Sequence, residues 1–270
     1  MARYLVSALL FVFSLAVHAV PSPDRWSYWD KVDKNNKAVV DHSTWQKFLD
    51  RYVKLSESTG MYMVEYGRVK KVDKEELNAY LESLSKQDPR KLNRREQLSY
   101  WINLYNALTV DLILDYYPVK SITKLGKGWF RMGPWKDELI EIAGQNISLH
   151  DIEHRIIRPI WNNPRIHYAL NCASIGCPDL LPDAYQGRKI DNQLEAAARR
   201  FINQKKGVAF VSGRLVLSSI FDWYEDDFID EDGVLKEVKS FAVGDLKRQL
   251  ENYNGRISYR YNWKLNEYRP

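Results

Sequence analysis

The stretch from Asn93 to Pro118 constrains the fold most. Asn93 is a good helix N-cap, and Glu96 lies three positions on, the spacing of a capping box. Leu98, Trp101, Ile102, Tyr105, Leu108 and Leu112 then recur at helical spacing before Pro118 ends the run. A helix of this length with one apolar stripe needs other elements laid along it, so the chain is expected to assemble around it. Further helices are predicted over residues 75–84 and 191–202. Another starts at Ser148, where Asp151 completes the cap, and runs until Pro159. Residues 165–172 alternate strictly and predict a strand, with Ile166, Tyr168, Leu170 and Cys172 on one face. Arg165, His167, Ala169 and Asn171 take the other face. Residues 208–211 and 215–217 read as a hairpin through Ser212-Gly213-Arg214, and 257–263 as a last strand. The expected class is α+β, with a helical N-terminal half packed on a mostly antiparallel sheet from the C-terminal half. No repeat, low-complexity tract or Pro/Gly/Ser linker interrupts residues 20–270, which predicts a single domain.

The first residues stand apart from that plan. Met1-Ala2-Arg3 is a short positive start, and the uncharged apolar run from Tyr4 to Val17 leads into Val17-His18-Ala19. The pattern predicts a secretory signal peptide over residues 1–19, and so an exported, periplasmic or secreted protein. The run is too short to span a bilayer, and no later segment approaches about 18 consecutive apolar residues, so stable membrane insertion is not expected. Removing residues 1–19 takes away Arg3 and no acid, which leaves a net charge of 39 − 35 = +4. Lys and Arg are interleaved with acids, which argues against a nucleic-acid partner.

The densest polar cluster is Asn171-Cys172-Ala173-Ser174-Ile175-Gly176-Cys177-Pro178. A cysteine nucleophile needs a base and a group that orients the base. For Cys172 the expected base is His154, with His167 second because a strand would turn it away from the thiol. Glu153 or Asn106 would fix the ring, and the backbone N–H groups of residues 173–176 would form an oxyanion hole. Asn103, Arg158, Asn171 and Ser174 are the expected substrate-binding residues. For Asn103 and Asn106, hydrogen bonding to a neighbouring loop is the competing role, because a mid-helix Asn usually makes one specific bond. Two cysteines in an exported chain also invite a Cys172–Cys177 disulfide, and a nucleophile can be stored in such a bond.

His150-Asp151-Ile152-Glu153-His154 matches H-x-x-E-H and sets His150 and His154 on one helix face as a zinc pair, with Glu225 or Glu231 as a third ligand. Three fixed positions arise often by chance, and a capped structural helix explains them equally. No metal and no cofactor are therefore expected. Phe221, Trp223, Tyr224 and Phe228, mixed with Asp222, Glu225, Asp226 and Asp227, read either as an acidic cleft or as a core edge with a solvated acidic face. A Gly-rich phosphate loop and a G-x-S-x-G elbow are both missing, which argues against the common nucleotide enzymes and serine hydrolases.

Together these segments resemble the family catalogued as domain of unknown function 547. The resemblance rests on Tyr100-Trp101-Ile102-Asn103-Leu104-Tyr105-Asn106-Ala107-Leu108-Thr109, on Ser148-Leu149 through Ile152-Glu153-His154 to Arg158, on Arg165-Ile166-His167, and on Asn171-Cys172-Ala173-Ser174 to Gly176-Cys177-Pro178. Tyr116, Pro118, Ser121, Ile122 and the Trp223-Tyr224…Asp226-Asp227-Phe228 run fit as well, so it spans about residues 60–265. It marks Asn103, Asn106, Glu153, His154, Arg158, His167, Cys172 and Cys177 as the polar motif positions. It also implies that bacterial members often carry signal peptides and that some animal members are fused to a glutaredoxin-like module.

The expected function is that of an exported cysteine-dependent hydrolase or acyl transferase acting on a peptide, amide or ester carbonyl, in the manner of papain-type or transglutaminase-type enzymes. The alternatives are a non-catalytic envelope binding or scaffold domain with a structural Cys172–Cys177 disulfide, and a thiol–disulfide exchange protein using the same pair.

Overall fold

Helix α3 (Arg94–Asp115) forms the axis of the protein. A computed structural model describes residues 23–126, 133–228 and 233–269; the expected signal peptide, residues 1–19, lies outside them. The Asn93 side chain caps α3 by accepting from Arg95 N–H and Glu96 N–H, each at 3.1 Å. The Glu96 carboxylate accepts from Val40 N–H at 3.3 Å, which ties the N-terminal segment to the helix start. The expected apolar stripe is only part of what α3 buries. Gln97, Ser99, Asn103, Asn106 and Thr109 on its other faces are buried too, so the helix is enclosed all round.

Helices α1 (Ser43–Tyr52) and α2 (Lys71–Ser85) pack in sequence against one another and against α3 on one side. A short hairpin, β1 (Val53–Leu55) with β2 (Tyr62–Val64), follows α1, and a second, β3 (Ile140–Ile142) with β4 (Gln145–Ile147), precedes Ser148. Helix α5 (Ile190–Ile202) lies against α3 and the residue 164–168 turn. The third sheet pairs β5 (Val208–Val211) antiparallel to β6 (Arg214–Ser218), and β6 parallel to β7 (Ile257–Arg260). Ser212 and Gly213, both at positive φ, make the hairpin turn where it was expected. Helices α6 (Ile220–Trp223), α7 (Gly233–Phe241) and α8 (Gly244–Glu251) join β6 to β7. The architecture is α+β, and the strands of the described residues lie in three small sheets. None of the described helices is long and apolar enough to cross a membrane.

The Ser148 start is capped reciprocally: Asp151 N–H donates to Ser148 Oγ at 3.1 Å, and Ser148 N–H and O–H donate to Asp151 Oδ2 at 3.0 and 2.6 Å. Beyond it the chain forms a π-helix over Asp151–Ile157, which passes directly into α4 (Arg158–Trp161). Pro159 has no N–H and disturbs the carbonyls of the preceding turn. Two of these, His154 C=O and Arg155 C=O, accept instead from Asp24 N–H and Trp26 N–H at 3.2 and 2.9 Å. The helix thus outlasts its proline because the N-terminal segment satisfies what the proline frees.

The strand expected over residues 165–172 does not form. Pro164–Tyr168 is a 3₁₀ turn, with Asn163 Oδ1 accepting from Arg165 N–H at 3.1 Å, and the chain then runs irregularly to Cys172. Ile166 to Cys172 are all buried, so alternation of residue type does not correspond to an inner and an outer face. The last expected strand is regular only over β7. Past it the chain pairs with the cysteine loop: Gly176 N–H donates to Asn262 C=O, Ile175 N–H to Lys264 C=O, and Asn266 N–H to Ala173 C=O, at 2.9, 2.8 and 3.1 Å.

Asp179, just beyond that loop, is a buried carboxylate accepting from Lys206 Nζ (2.5 Å), Arg200 Nε (2.7 Å), Gln204 Nε2 (2.8 Å) and Tyr62 N–H (3.0 Å). It joins the β1–β2 hairpin to the end of α5. Replacing it removes one partner of a buried ion pair and strands Lys206. Asp179→Ala is expected to lower unfolding stability by about 3 kcal/mol, measured by urea denaturation; an unchanged midpoint would contradict the role.

Candidate functional site

Three elements bring the candidate residues together. The π-helix carries Glu153 and His154, α4 carries Arg158, and the 3₁₀ turn carries His167. The segment after β6 adds Tyr224 and Asp227, and the segment after β7 adds Tyr261. Folding the residue 164–168 stretch as a turn places His167 beside Asp227, with Nε2 2.6 Å from Oδ2. Arg158 grips the same carboxylate with Nε (2.5 Å) and a terminal nitrogen (3.0 Å). Its other terminal nitrogen lies 2.8 Å from His154 Nδ1. A guanidinium has only donors, so Nδ1 accepts and the neutral ring carries its proton on Nε2. The Tyr224 ring packs between the two imidazoles, with centroids 6.1 Å from His154 and 4.0 Å from His167, and Arg158 lies over it at 4.8 Å.

Glu153 accepts two phenols: Tyr224 O–H on Oε1 at 2.5 Å and Tyr105 O–H on Oε2 at 3.1 Å. Burial alone would raise its pKa, but His154, His167, the Tyr224 bond and Arg158 together bring it below the usual carboxylate value. Burial likewise opposes ionisation of Asp227, and the bonds from His167 and Arg158 reverse that and hold it far below the usual range. His154 goes the other way: burial lowers its pKa to about 4, Glu153 only partly offsetting it and Arg158 adding to it. The ring is therefore neutral at physiological pH.

Cys172 and Cys177 form a disulfide, with Cα atoms 6.1 Å apart. Cys172 is 9% exposed and Cys177 4%. A disulfide sulfur carries no proton, so the nearby hydroxyls are the donors. Tyr261 O–H lies 3.1 Å from Cys172 Sγ and 3.2 Å from Cys177 Sγ, Ser174 Oγ lies 3.2 Å from Cys172 Sγ, and the two hydroxyls are 2.9 Å apart. Cys172 N–H also points at Cys177 Sγ, at 2.9 Å. Gly176 permits this approach: a Cβ there would come within 2.8 Å of Asn262 N and 2.9 Å of the Tyr261 ring. Tyr261, Trp223 and Trp263 pack together over the site, with centroids 4.6–5.6 Å apart.

Several sequence expectations change with this geometry. His154 and His167 face Arg158 and Asp227, and the hydrogen-bond partners of Cys172 Sγ are Ser174 and Tyr261. Asn106 holds backbone rather than an imidazole: Nδ2 donates to Ala169 C=O at 3.0 Å and Oδ1 accepts from Asn171 N–H at 2.8 Å. Asn103 does the same with Tyr185, at 2.7 and 3.0 Å. Asn171 Nδ2 donates to Pro178 C=O at 2.7 Å, and its Oδ1 accepts from Ala173 N–H at 3.0 Å. Arg158 is committed to Asp227 and His154. Ser174 is the one expected substrate-binding residue that touches the cysteine pair. Of the N–H groups expected to form an oxyanion hole, those of Ala173, Ile175 and Gly176 already have acceptors in this conformation. For zinc, His150 and His154 have centroids 4.8 Å apart, but Arg158 covers His154 Nδ1 and Glu153 faces the tyrosines. Glu231 lies outside the described residues, and no group of three ligating side chains is found among those described.

Tyr105, Asp227 and Tyr261 were not singled out from sequence. Tyr105 lay inside the apolar stripe, and Asp227 inside the acidic and aromatic run. Tyr261 is one of seventeen tyrosines, at the end of a short strand.

The two buried neutral imidazoles have a consequence for stability. Burial brings both His42 and His154 to about 4, against 6.5 unfolded. A folded pKa below the unfolded one contributes stability that is complete above pH 6.5 and is lost as pH falls towards 4. Unfolding stability is expected to drop by about 2 kcal/mol for each ring between pH 7 and pH 5. Urea midpoints at pH 7, 6 and 5 check this; a level profile would mean that the rings take up protons without unfolding.

No curated protein and no solved structure matches this chain. The family model described as "Protein of unknown function, DUF547" matches residues 89–202, from the approach to α3 to the end of α5. The match contains Glu153, His154, Arg158, His167 and the cysteine pair, while Tyr224, Asp227 and Tyr261 lie beyond it. Over residues 89–202 this chain is thus similar to the DUF547 family.

Proposed function

We propose that this is an exported thiol–disulfide exchange protein whose reactive centre is the Cys172–Cys177 pair. The observation that carries the reading is the Tyr261 hydroxyl, 3.1 and 3.2 Å from the two sulfurs. Hydrogen-bond donors at sulfur stabilise thiolate more than disulfide, which favours the reduced form and makes the couple more oxidising. An incoming thiolate attacks Sγ of Cys172, the more exposed of the two residues; the Cys172–Cys177 bond breaks and a bond from the substrate sulfur to Cys172 forms. Cys177 leaves as a thiolate, held by Cys172 N–H and Tyr261 O–H. A second substrate thiolate then attacks the substrate sulfur of the mixed disulfide and releases Cys172. Two substrate thiols become a disulfide, and the pair becomes a dithiol.

The apolar leader at residues 4–17 supports export, to a compartment where such a couple has work to do. The cysteine hydrolase or acyl transferase is the second reading, for which Glu153, His154 and His167, gathered around Tyr224, would supply the acid–base groups. It requires the pair to be reduced and an imidazole to leave Arg158 before Cys172 attacks a carbonyl carbon. Its test is p-nitrophenyl ester cleavage by the reduced protein that Cys172→Ser abolishes.

Equilibration with glutathione redox buffers tests the leading reading. The pair is expected to exchange within minutes, and Tyr261→Phe to make the couple more reducing by about 20 mV, the equivalent of about 1 kcal/mol for one lost donor. Cys177→Ser is expected to accumulate a mixed disulfide on Cys172. A pair that stays oxidised in millimolar dithiothreitol while the protein remains folded would overturn the reading and leave a structural staple.

A further inference from the structure

The two thiolates released in an exchange cycle need separate hydrogen-bond donors. Cys177 leaves first, with Cys172 N–H at 2.9 Å and Tyr261 O–H at 3.2 Å from its sulfur. Cys172 leaves second, when the mixed disulfide is resolved, and its own N–H is already directed at Cys177. Tyr261 has a single proton for three acceptors, the two sulfurs and Ser174 Oγ, at 2.9–3.2 Å. Once Cys177 is a thiolate it keeps that donor, because a charged acceptor forms the stronger hydrogen bond. Ser174 Oγ, 3.2 Å from Cys172 Sγ, then carries the side-chain donor that remains for the second release.

The backbone aims this hydroxyl. Side chains two positions apart on an extended chain stand about 7 Å apart. Ala173, between Cys172 and Ser174, instead takes a left-handed φ of 58°, and the chain doubles back on itself. Ser174 C=O accepts from Cys177 N–H at 3.1 Å, and Ser174 pairs with Leu265 of the C-terminal segment, so the turn is fixed on both sides. Ser174 is buried, which leaves Cys172 Sγ and the Tyr261 oxygen as the acceptors for its proton.

We propose that Ser174 is a catalytic residue of the second step, donating to Cys172 Sγ as negative charge develops there. The inference rests on the disulfide-exchange reading. A substrate thiolate attacks the substrate sulfur of the mixed disulfide, a bond forms between the two substrate sulfurs, and the bond to Cys172 breaks. The electron pair of that bond leaves on Cys172 Sγ, where the Ser174 O–H meets it. Tyr261 and Cys172 N–H serve the first release, and Ser174 serves the second.

Cys177→Ala combined with Tyr261→Phe isolates the second step, since Ser174 is then the one side-chain hydroxyl of this group left at Cys172. The protein is loaded with glutathione on Cys172, excess reduced glutathione is added, and acid-quenched samples are weighed by mass spectrometry. Adding Ser174→Ala is expected to slow the appearance of free Cys172 about threefold, the effect of one lost donor on a partly formed thiolate. In the protein with both cysteines, Ser174→Ala alone is expected to shift the equilibrium with glutathione about fivefold towards the disulfide, equivalent to about 20 mV. An unchanged release rate or an unchanged equilibrium would each overturn the role of Ser174. A wild-type pair that stays closed in the same buffers would overturn the exchange reading instead, because release from loaded Cys172 is measured without it.

Discussion

The enclosure of α3 on every face is the constraint on which the rest of the structure depends. A helix buried all round cannot leave polar side chains unsatisfied, since each orphaned group costs about 1–3 kcal/mol. Asn103 and Asn106, three residues apart, therefore act as brackets. Each takes one backbone carbonyl and one backbone N–H from the segments wrapped around the helix: Asn103 holds Tyr185, and Asn106 holds Ala169 and Asn171. Asn171 passes the constraint on, holding Ala173 and Pro178 on either side of the cysteine loop. The position of Cys172 is thus set from the middle of the protein outward.

The far side of the loop is closed by the C-terminal segment. Backbone bonds from residues 173–176 to residues 262–266 hold that segment against the cysteines, and Gly176 lets Tyr261 approach closely enough to put its hydroxyl on both sulfurs. This arrangement has an electrostatic counterpart a short distance away. Asp227 is held by Arg158 and His167, and Glu153 by two phenols, so each half-buried carboxylate has the hydrogen bonds that a desolvated charge requires. Tyr224 belongs to both halves, donating to Glu153 while its ring separates the imidazoles.

Local patterns in the sequence carried the helices and the hairpin well. Asn93, the Ser148–Asp151 pair and the Ser212-Gly213 turn all act through neighbours only a few residues away, and their spacing survives folding. The expected strand over residues 165–172 failed because alternation is informative only when one face meets solvent, and Ile166 to Cys172 are all buried. Of the site, the cysteine pairing was legible as one of the alternative readings, and Glu153, His154, Arg158 and His167 were legible as polar motif positions of the resemblance. Their partners were not. Asp227 lies 60 residues beyond His167 in the chain, and Tyr261 lies 89 beyond Cys172. No local periodicity encodes such contacts; they depend on how β7 joins the third sheet.

This separation in the chain bears on what the imidazoles do. A general base must present a free lone pair to the proton it takes. His154 gives its lone pair to a guanidinium, and His167 faces a carboxylate already paired with the same guanidinium, so both rings are locked into one charge network with Arg158 at its centre. The groups that reach the sulfurs instead are hydroxyls and a backbone N–H, all of them donors. Donors around a sulfur pair stabilise a departing thiolate, whereas they do nothing to take a proton from a thiol. That is the ground on which we propose that Cys172 and Cys177 make and break a sulfur–sulfur bond rather than attack a carbonyl.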